Sequence, residues 1–245
     1  MRKVYLPLSF ICLLCSFLLL PVVRAGNHSG YSETIISTDH NTAEASNAEF
    51  YSNKLYDSLH LDKLGMKKEV LMYAYKGQQN LVRRGRVANS NILTVCDFSQ
   101  PSDSKRLYII DVRNFKVLLN TYVAHGKNSG DEYANRFSNR PRSLQSSLGF
   151  YVTKGTYFGK HGLSLRLSGQ DRGFNDKAES RAIVVHGATY IGDEWQGGKM
   201  GRSFGCPAVP QRYAKKVIEL IKNGTCLFIY HPLKSYLHGS NVLNG

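Results

Sequence analysis

Ile183-Val184-Val185-His186-Gly187, followed by Arg202-Ser203-Phe204-Gly205-Cys206-Pro207-Ala208, is the stretch on which the reading of this chain turns. The β-branched run predicts a strand, because branching at Cβ suits a pleated, half-buried backbone. That strand delivers a histidine and then a glycine. Sixteen residues separate His186 from Ser203, and a cysteine set among small and turn-forming residues follows. Together they supply a thiol, a base able to deprotonate it, and a glycine that frees backbone N–H groups for a substrate oxygen. Cysteine acyl transfer needs those parts.

The sequence around this stretch alternates with a period near two from Ile92 onward. Ile92–Cys96, Arg106–Ile110, Lys116–Asn120, Thr121–Ala124, Phe150–Val152, Leu163–Leu167 and Ala182–Val185 all read as strands. Asp111-Val112-Arg113-Asn114 reads as a turn, and the aromatic pair Tyr157-Phe158 reads as core. After Cys206, Tyr213–Lys222 has helical spacing and ends near Asn223-Gly224. Thr225–Tyr230 closes as a strand. The expectation is a mainly β domain over 88–233, with one helix near its C-terminal end and a tail over 234–245. No internal repeat is present.

Upstream, Phe50, Leu55, Leu59, Leu64, Val70, Leu71, Tyr73, Ala74, Tyr75, Leu81 and Val82 recur near helical spacing. They predict a helical segment over 48–87, with two helices broken near Gly65 and the second weakened at Gly77. Residues 26–47 are rich in Ser, Thr, Asn and Gly, and read as a flexible leader. The first 25 residues carry Arg2 and Lys3, an apolar run from Leu8 to Leu20, and Val23-Arg24-Ala25. This is the layout of a signal peptide cleaved near Ala25, leaving no stable transmembrane segment. Ile11 and Leu14 precede Cys12 and Cys15 where lipidation needs a small residue, so lipidation is not expected.

The expected destination is the periplasm or cell envelope. The formal charge of +14 falls to +11 on loss of Arg2, Lys3 and Arg24. Such a surface suits anionic wall polymers, lipid headgroups or acidic peptides. Export argues against nucleic acid. Cleavage leaves Cys96, Cys206 and Cys226. Cys96 and Cys226 lie in apolar strands, where they either pair or are simply buried. Cys206 is the candidate free thiol. No Cys/His spacing suggests zinc, and no metal or cofactor is expected.

The spaced His186-Gly187 and Ser203-Phe204-Gly205-Cys206 resemble the active-site signature of the L,D-transpeptidase (YkuD-type) family, in its murein L,D-transpeptidase catalytic domain branch. Ala124–Gly130, Ser146–Tyr151, Gly159–Leu167 and Gly201-Arg202-Ser203 look like the same branch, and the resemblance covers about 90–232. Two departures stand out. Phe204 occupies the place of a second histidine, and Pro207-Ala208 replaces the hydrophobic residue and Arg/Asn that usually follow the cysteine. These departures leave acceptor specificity open.

The resemblance implies a β-sandwich-like fold and an exported enzyme acting on peptidoglycan stem peptides. Cys206 would attack the carbonyl joined to terminal D-alanine. His186 would act as base, and an amine would resolve the thioester to a 3→3 cross-link. It also assigns the anchoring of the imidazole to a main-chain carbonyl around Ser203. Gly205 and Cys206 would offer oxyanion-hole N–H groups. His125, His161, Arg166, Gly187, Tyr190 and Arg202 are candidate substrate-binding residues, with Lys160 a further cation for stem-peptide carboxylates. Resolution of the same acyl-enzyme by water would instead make an L,D-carboxypeptidase or other murein hydrolase. A non-catalytic wall-binding module is the alternative from another class, which the intact Cys206/His186 pair disfavours. In papain-like proteases the cysteine precedes the histidine, opposite to the order here.

Overall fold

The computed structural model describes residues 36–196 and 199–245. The expected signal peptide (1–25) and the first part of the expected leader lie outside the described residues. The rest of that leader is the beginning of α1 (Ile36–Ser58), where a loop had been expected. No glycine or proline interrupts the sequence between Tyr31 and Leu64, so its polar composition meets no helix breaker. Among the described residues no helix is long and apolar enough to cross a membrane.

α2 (Lys68–Arg83) follows a turn containing Gly65, and buries Val70, Leu71, Ala74 and Leu81. It passes Gly77 without a break, although glycine was expected to weaken it there. A Cβ on Gly77 would stand 2.0 Å from the Phe150 ring, so the glycine is the contact surface for that ring. Gln78 ties the helix to the sheet by donating to Ser90 O and Ile92 O, each at 3.1 Å.

Eight strands follow: β1 (Ile92–Asp97), β2 (Leu107–Asp111), β3 (Lys116–Thr121), β4 (Gly149–Gly159), β5 (Gly162–Gly169), β6 (Val184–Ala188), β7 (Ala208–Pro210) and β8 (Cys226–Tyr230). They form one sheet in the order β3-β2-β1-β8-β4-β5-β6-β7. β1 and β8 are buried at every position, which their uninterrupted apolar runs require of central strands covered on both faces. Phe150 and Phe228, paired across β4 and β8, stack with centroids 4.0 Å apart in the core. α3 (Gln211–Ile221) lays Ala214, Val217, Ile218 and Ile221 inward, a helical stripe at i, i+3, i+4 and i+7.

The sheet curls until its two edges touch. Just past β3, Ala124 bridges Ala208 of β7, with Ala124 N–H donating to Ala208 O at 2.8 Å. Gly126 then bridges Ser203. The result is the sandwich-like, mainly β architecture expected. β4 and β5 run past the rest of the sheet. Of β4, only Gly149–Val152 pair with β8, whereas the β4–β5 ladder continues to Gly159 and Gly162. Phe158, expected in the core, is therefore 84% exposed on a projecting hairpin. The C-terminal segment is also more than a tail. α4 (Lys234–Gly239) and α5 (Asn241–Asn244) bury Tyr236, Val242 and Leu243. Asn80 of α2 donates to Val242 O at 2.6 Å.

Candidate active site

β6 presents His186 where the sheet borders the turn that carries Cys206. Both side chains line one cavity of about 340 Å³, with Tyr157, Lys160, His161, Tyr190, Arg202 and Ser203 among its other walls. His186 is buried and its Nδ1 lies 2.9 Å from Gly187 O. An N–H at Nδ1 donating to that carbonyl leaves Nε2 as the basic nitrogen. The anchoring carbonyl is thus Gly187's and not one near Ser203. Gly187 serves through its main chain, inside β6, and is not a wall of the cavity. Burial, then the charges of His161 and Lys160, hold the His186 pKa below the ordinary histidine value, while the Gly187 bond opposes them.

The Cys206 turn is built by Ser203. Its hydroxyl donates to Cys206 O at 2.6 Å and accepts from Gly205 N–H at 3.0 Å. Gly205 N–H is therefore committed within the turn and is not an oxyanion donor. Cys206 N–H makes no hydrogen bond among the described residues. Gly205 has φ +119°, and a Cβ there would lie 2.8 Å from Gln145 O, so only glycine fits. The turn is pinned from outside as well: Ser203 N–H donates to His125 O at 2.9 Å, and Lys127 N–H to Ser203 O at 2.7 Å.

The half-buried thiol donates to Ala182 O at 3.7 Å. Ala182 has φ +52°, a left-handed conformation uncommon for alanine and of a kind that clusters at functional sites. Burial pushes the Cys206 thiol up, while the Val184 main chain, Arg181 and Lys160 pull it down. At rest the site thus holds a neutral imidazole and a protonated thiol.

Of the other expected site residues, His161 sits at the tip of the β4–β5 hairpin and stacks on His186 with centroids 4.2 Å apart. Tyr190 walls the cavity, its phenol pushed up to about 12 by burial. Arg202 also faces the cavity, but its guanidinium is paired with Asp131 at 3.1 Å. Two expected residues lie outside the Cys206 cavity. Arg166 lies over the Tyr157 ring, 4.4 Å from its centroid, and lines an adjoining cavity of about 570 Å³. His125 does not line the cleft at all. It is fully buried, with Nδ1 2.8 Å from Arg106 Nη2 and its carbonyl holding Ser203. Arg106, itself fully buried, also donates to Val123 O and Gln100 O. Burial and the Arg106 charge lower the His125 pKa to about 4.

Cys96 and Cys226 are buried free thiols, which settles the choice between pairing and burial. Among the described residues no group of three or more His, Cys, Asp or Glu side chains is placed to hold a metal ion. Arg106, Arg181 and Ala182 have roles here that the sequence does not announce. Arginine is common in this basic chain, and nothing in an alanine's identity signals positive φ.

The family model described as L,D-transpeptidase catalytic domain matches residues 62–230, taking in α2 as well as the sheet. No curated protein matches the chain. Similar solved structures include an L,D-transpeptidase from Mycobacterium smegmatis, 13% identical with a TM-score of 0.36. That match covers 58% of this chain and 59% of the other. Another is an L,D-transpeptidase from Stackebrandtia nassauensis, 15% identical with a TM-score of 0.33 and 66% of each chain covered. The chain spans 59% of the length of the first of these structures.

Proposed function

Because the chain belongs to the L,D-transpeptidase catalytic domain family, we propose that it is an exported cysteine acyltransferase of the periplasm or cell envelope, acting on peptidoglycan stem peptides. The observation that carries this reading is the cavity shared by Cys206 and a neutral His186 whose Nδ1 is held by Gly187 O.

The thiol first leaves Ala182 O and gives its proton to His186 Nε2. Sulfur then bonds to the carbonyl that precedes terminal D-alanine, and the developing oxyanion meets Cys206 N–H. As the C–N bond breaks, the imidazolium returns the proton to the departing D-alanine amine, leaving a thioester on Cys206. An amine of a second stem loses a proton to His186 and attacks the thioester. The thiolate leaves and regains the proton, and the product is a 3→3 cross-link. Lys160 and Arg202 meet donor carboxylates. The adjoining cavity shares Tyr157, Ala182, Ile183 and Val184 with the first, which offers room for a second strand beside the thioester.

Purified protein incubated with disaccharide-tetrapeptides should release D-alanine and form dimers, and Cys206→Ala should abolish both. Mass spectrometry of the products checks this. Dimers that survive Cys206→Ala would sink the mechanism, and D-alanine release without dimers would assign water as the acceptor. A carbapenem adduct on Cys206, seen by intact mass, would give independent support.

A further inference from the structure

Arg181 lines the Cys206 cavity, yet no step of the chemistry above uses it. Its guanidinium is half-buried and makes four hydrogen bonds, all to neutral acceptors. Nη1 donates to Ser138 O at 2.7 Å and to Ser147 Oγ, and Nη2 donates to Ser143 Oγ at 3.1 Å and Gln145 O at 2.8 Å. Among the described residues no carboxylate pairs with it. A buried or half-buried arginine is ordinarily neutralised by an acid, so this charge is left to act on something else.

The thiol turn is the group within its reach. The acceptors of Arg181 all belong to the loop 138–147, which passes directly behind Gly205. At Gly205 a Cβ would lie 2.8 Å from Gln145 O and 3.5 Å from Arg181 Nη2. The guanidinium therefore lies against Gly205, the residue before the nucleophile, with the loop beside it. The next residue, Ala182, takes the S–H bond on its carbonyl. The segment Arg181-Ala182 thus lies beside Cys206 on two counts: the Ala182 carbonyl receives the S–H bond, and Arg181 lines the same cavity as the sulfur.

We propose that Arg181 is a positioning residue that holds loop 138–147 against the thiol turn and supplies the fixed positive charge that stabilises the Cys206 thiolate. Other charged or titratable groups face the same thiol: His186 from β6, Lys160 and His161 from the β4–β5 hairpin, Tyr190 after β6, and Arg202 from the approach to the turn. Lys160, His161 and Arg202 are exposed and so screened by water and salt. His186 is neutral at rest. Arg181 is the fixed cation with least access to solvent. Its effect on Cys206 is mutual: Cys206 raises the Arg181 pKa just as Arg181 lowers that of Cys206.

The proposal rests on Cys206 being the reactive thiol but not on which acceptor it serves. The test is the rate of Cys206 alkylation by iodoacetamide against pH on the purified full chain, with the adduct mapped by peptide mass. Cys96 and Cys226 are fully buried and do not compete, and the peptide map separates any adduct on Cys12 or Cys15. Arg181→Met should move the alkylation midpoint up by about 0.5–1 pH unit, a roughly three- to tenfold slower reaction at pH 7. Arg181→Lys keeps the charge and loses the fork. It should stay near the wild-type midpoint while slowing D-alanine release, because the loop is held less firmly. If Arg181→Met does not fold, Arg181→Gln takes its place. Equal shifts in the Lys and the neutral variant, or no shift in either, would overturn the proposal. Alkylation needs no peptidoglycan. A split between the variants without any D-alanine release would therefore count against the transpeptidase reading alone.

Discussion

Burial opposes charge on both His186 and Cys206, and it acts in opposite directions on their pKa values. His186 is pushed down and Cys206 up, so the resting pair is neutral rather than a thiolate–imidazolium. The form competent for acylation carries one proton between the two groups. Activity should fall on the acid side as His186 takes a second proton, below the ordinary histidine value of about 6.5. It should fall on the alkaline side above the ordinary thiol value of about 8.5. A profile of kcat/KM for D-alanine release between pH 5 and 10 checks this. An acid limb centred above 6.5 would mean that His186 is not held neutral by its burial. That these two residues share a cavity was readable in advance, because their spacing resembles the family's active-site signature. The carbonyl that orients the base was not, since main-chain direction at Gly187 and Ser203 leaves no trace in residue type. His125 looked like a cleft residue for the same reason that His186 did, a histidine before a glycine at a strand end. The sheet turns one toward the cavity and the other toward Arg106.

At the level of elements, the hydrophobic pattern located β1, β2, β3, β5, β8 and α3 to within a residue or two, since each has a face that must be buried. β7 escaped notice because three residues are too few to show a period. The reach of the β4–β5 hairpin was hidden as well, because an aromatic pair in a two-stranded ribbon looks the same as one in a core. That ribbon matters, as its tip carries Lys160 and His161 to the cavity. Gly77 gives a direct test of helix propensity against packing. Alanine would favour the helix by about 1 kcal/mol, but a Cβ driven into the Phe150 ring costs about 1–3 kcal/mol. The clash meets the tip of the ring, at 2.0 Å, but the ring is fully buried and stacked on Phe228, so the clash should win. Gly77→Ala should lower unfolding stability by about 1 kcal/mol or more in urea. Stabilisation instead would show that Phe150 moves aside freely.

Over the whole molecule, acid weakens the fold through histidines held neutral inside it. His125, His186 and His231 all have pKa values lowered by burial. The unfolded chain takes up protons near pH 6.5 that the folded chain refuses until lower pH, so stability declines as pH falls through this window. His125, lowered to about 4, alone accounts for about 2 kcal/mol between pH 7 and 5. Urea unfolding at both pH values should show that loss. His125→Gln, which still offers Arg106 an acceptor, should flatten it. An unchanged difference in the variant would remove His125 from this role.

The seam where Ala124 meets Ala208 and Gly126 meets Ser203 carries one more consequence. These contacts join parts of the chain far apart in sequence, and such closures come at a large entropic cost during folding. The thiol turn is held from two sides, by that seam and by the β6–β7 ladder, which sets Ala208 beside His186. With the seam open, Ser203 would lose the His125 carbonyl that holds it, and the turn would be tethered through β7 alone. The geometry around Cys206 thus reports on contacts made by the far edge of the sheet as well as by its own.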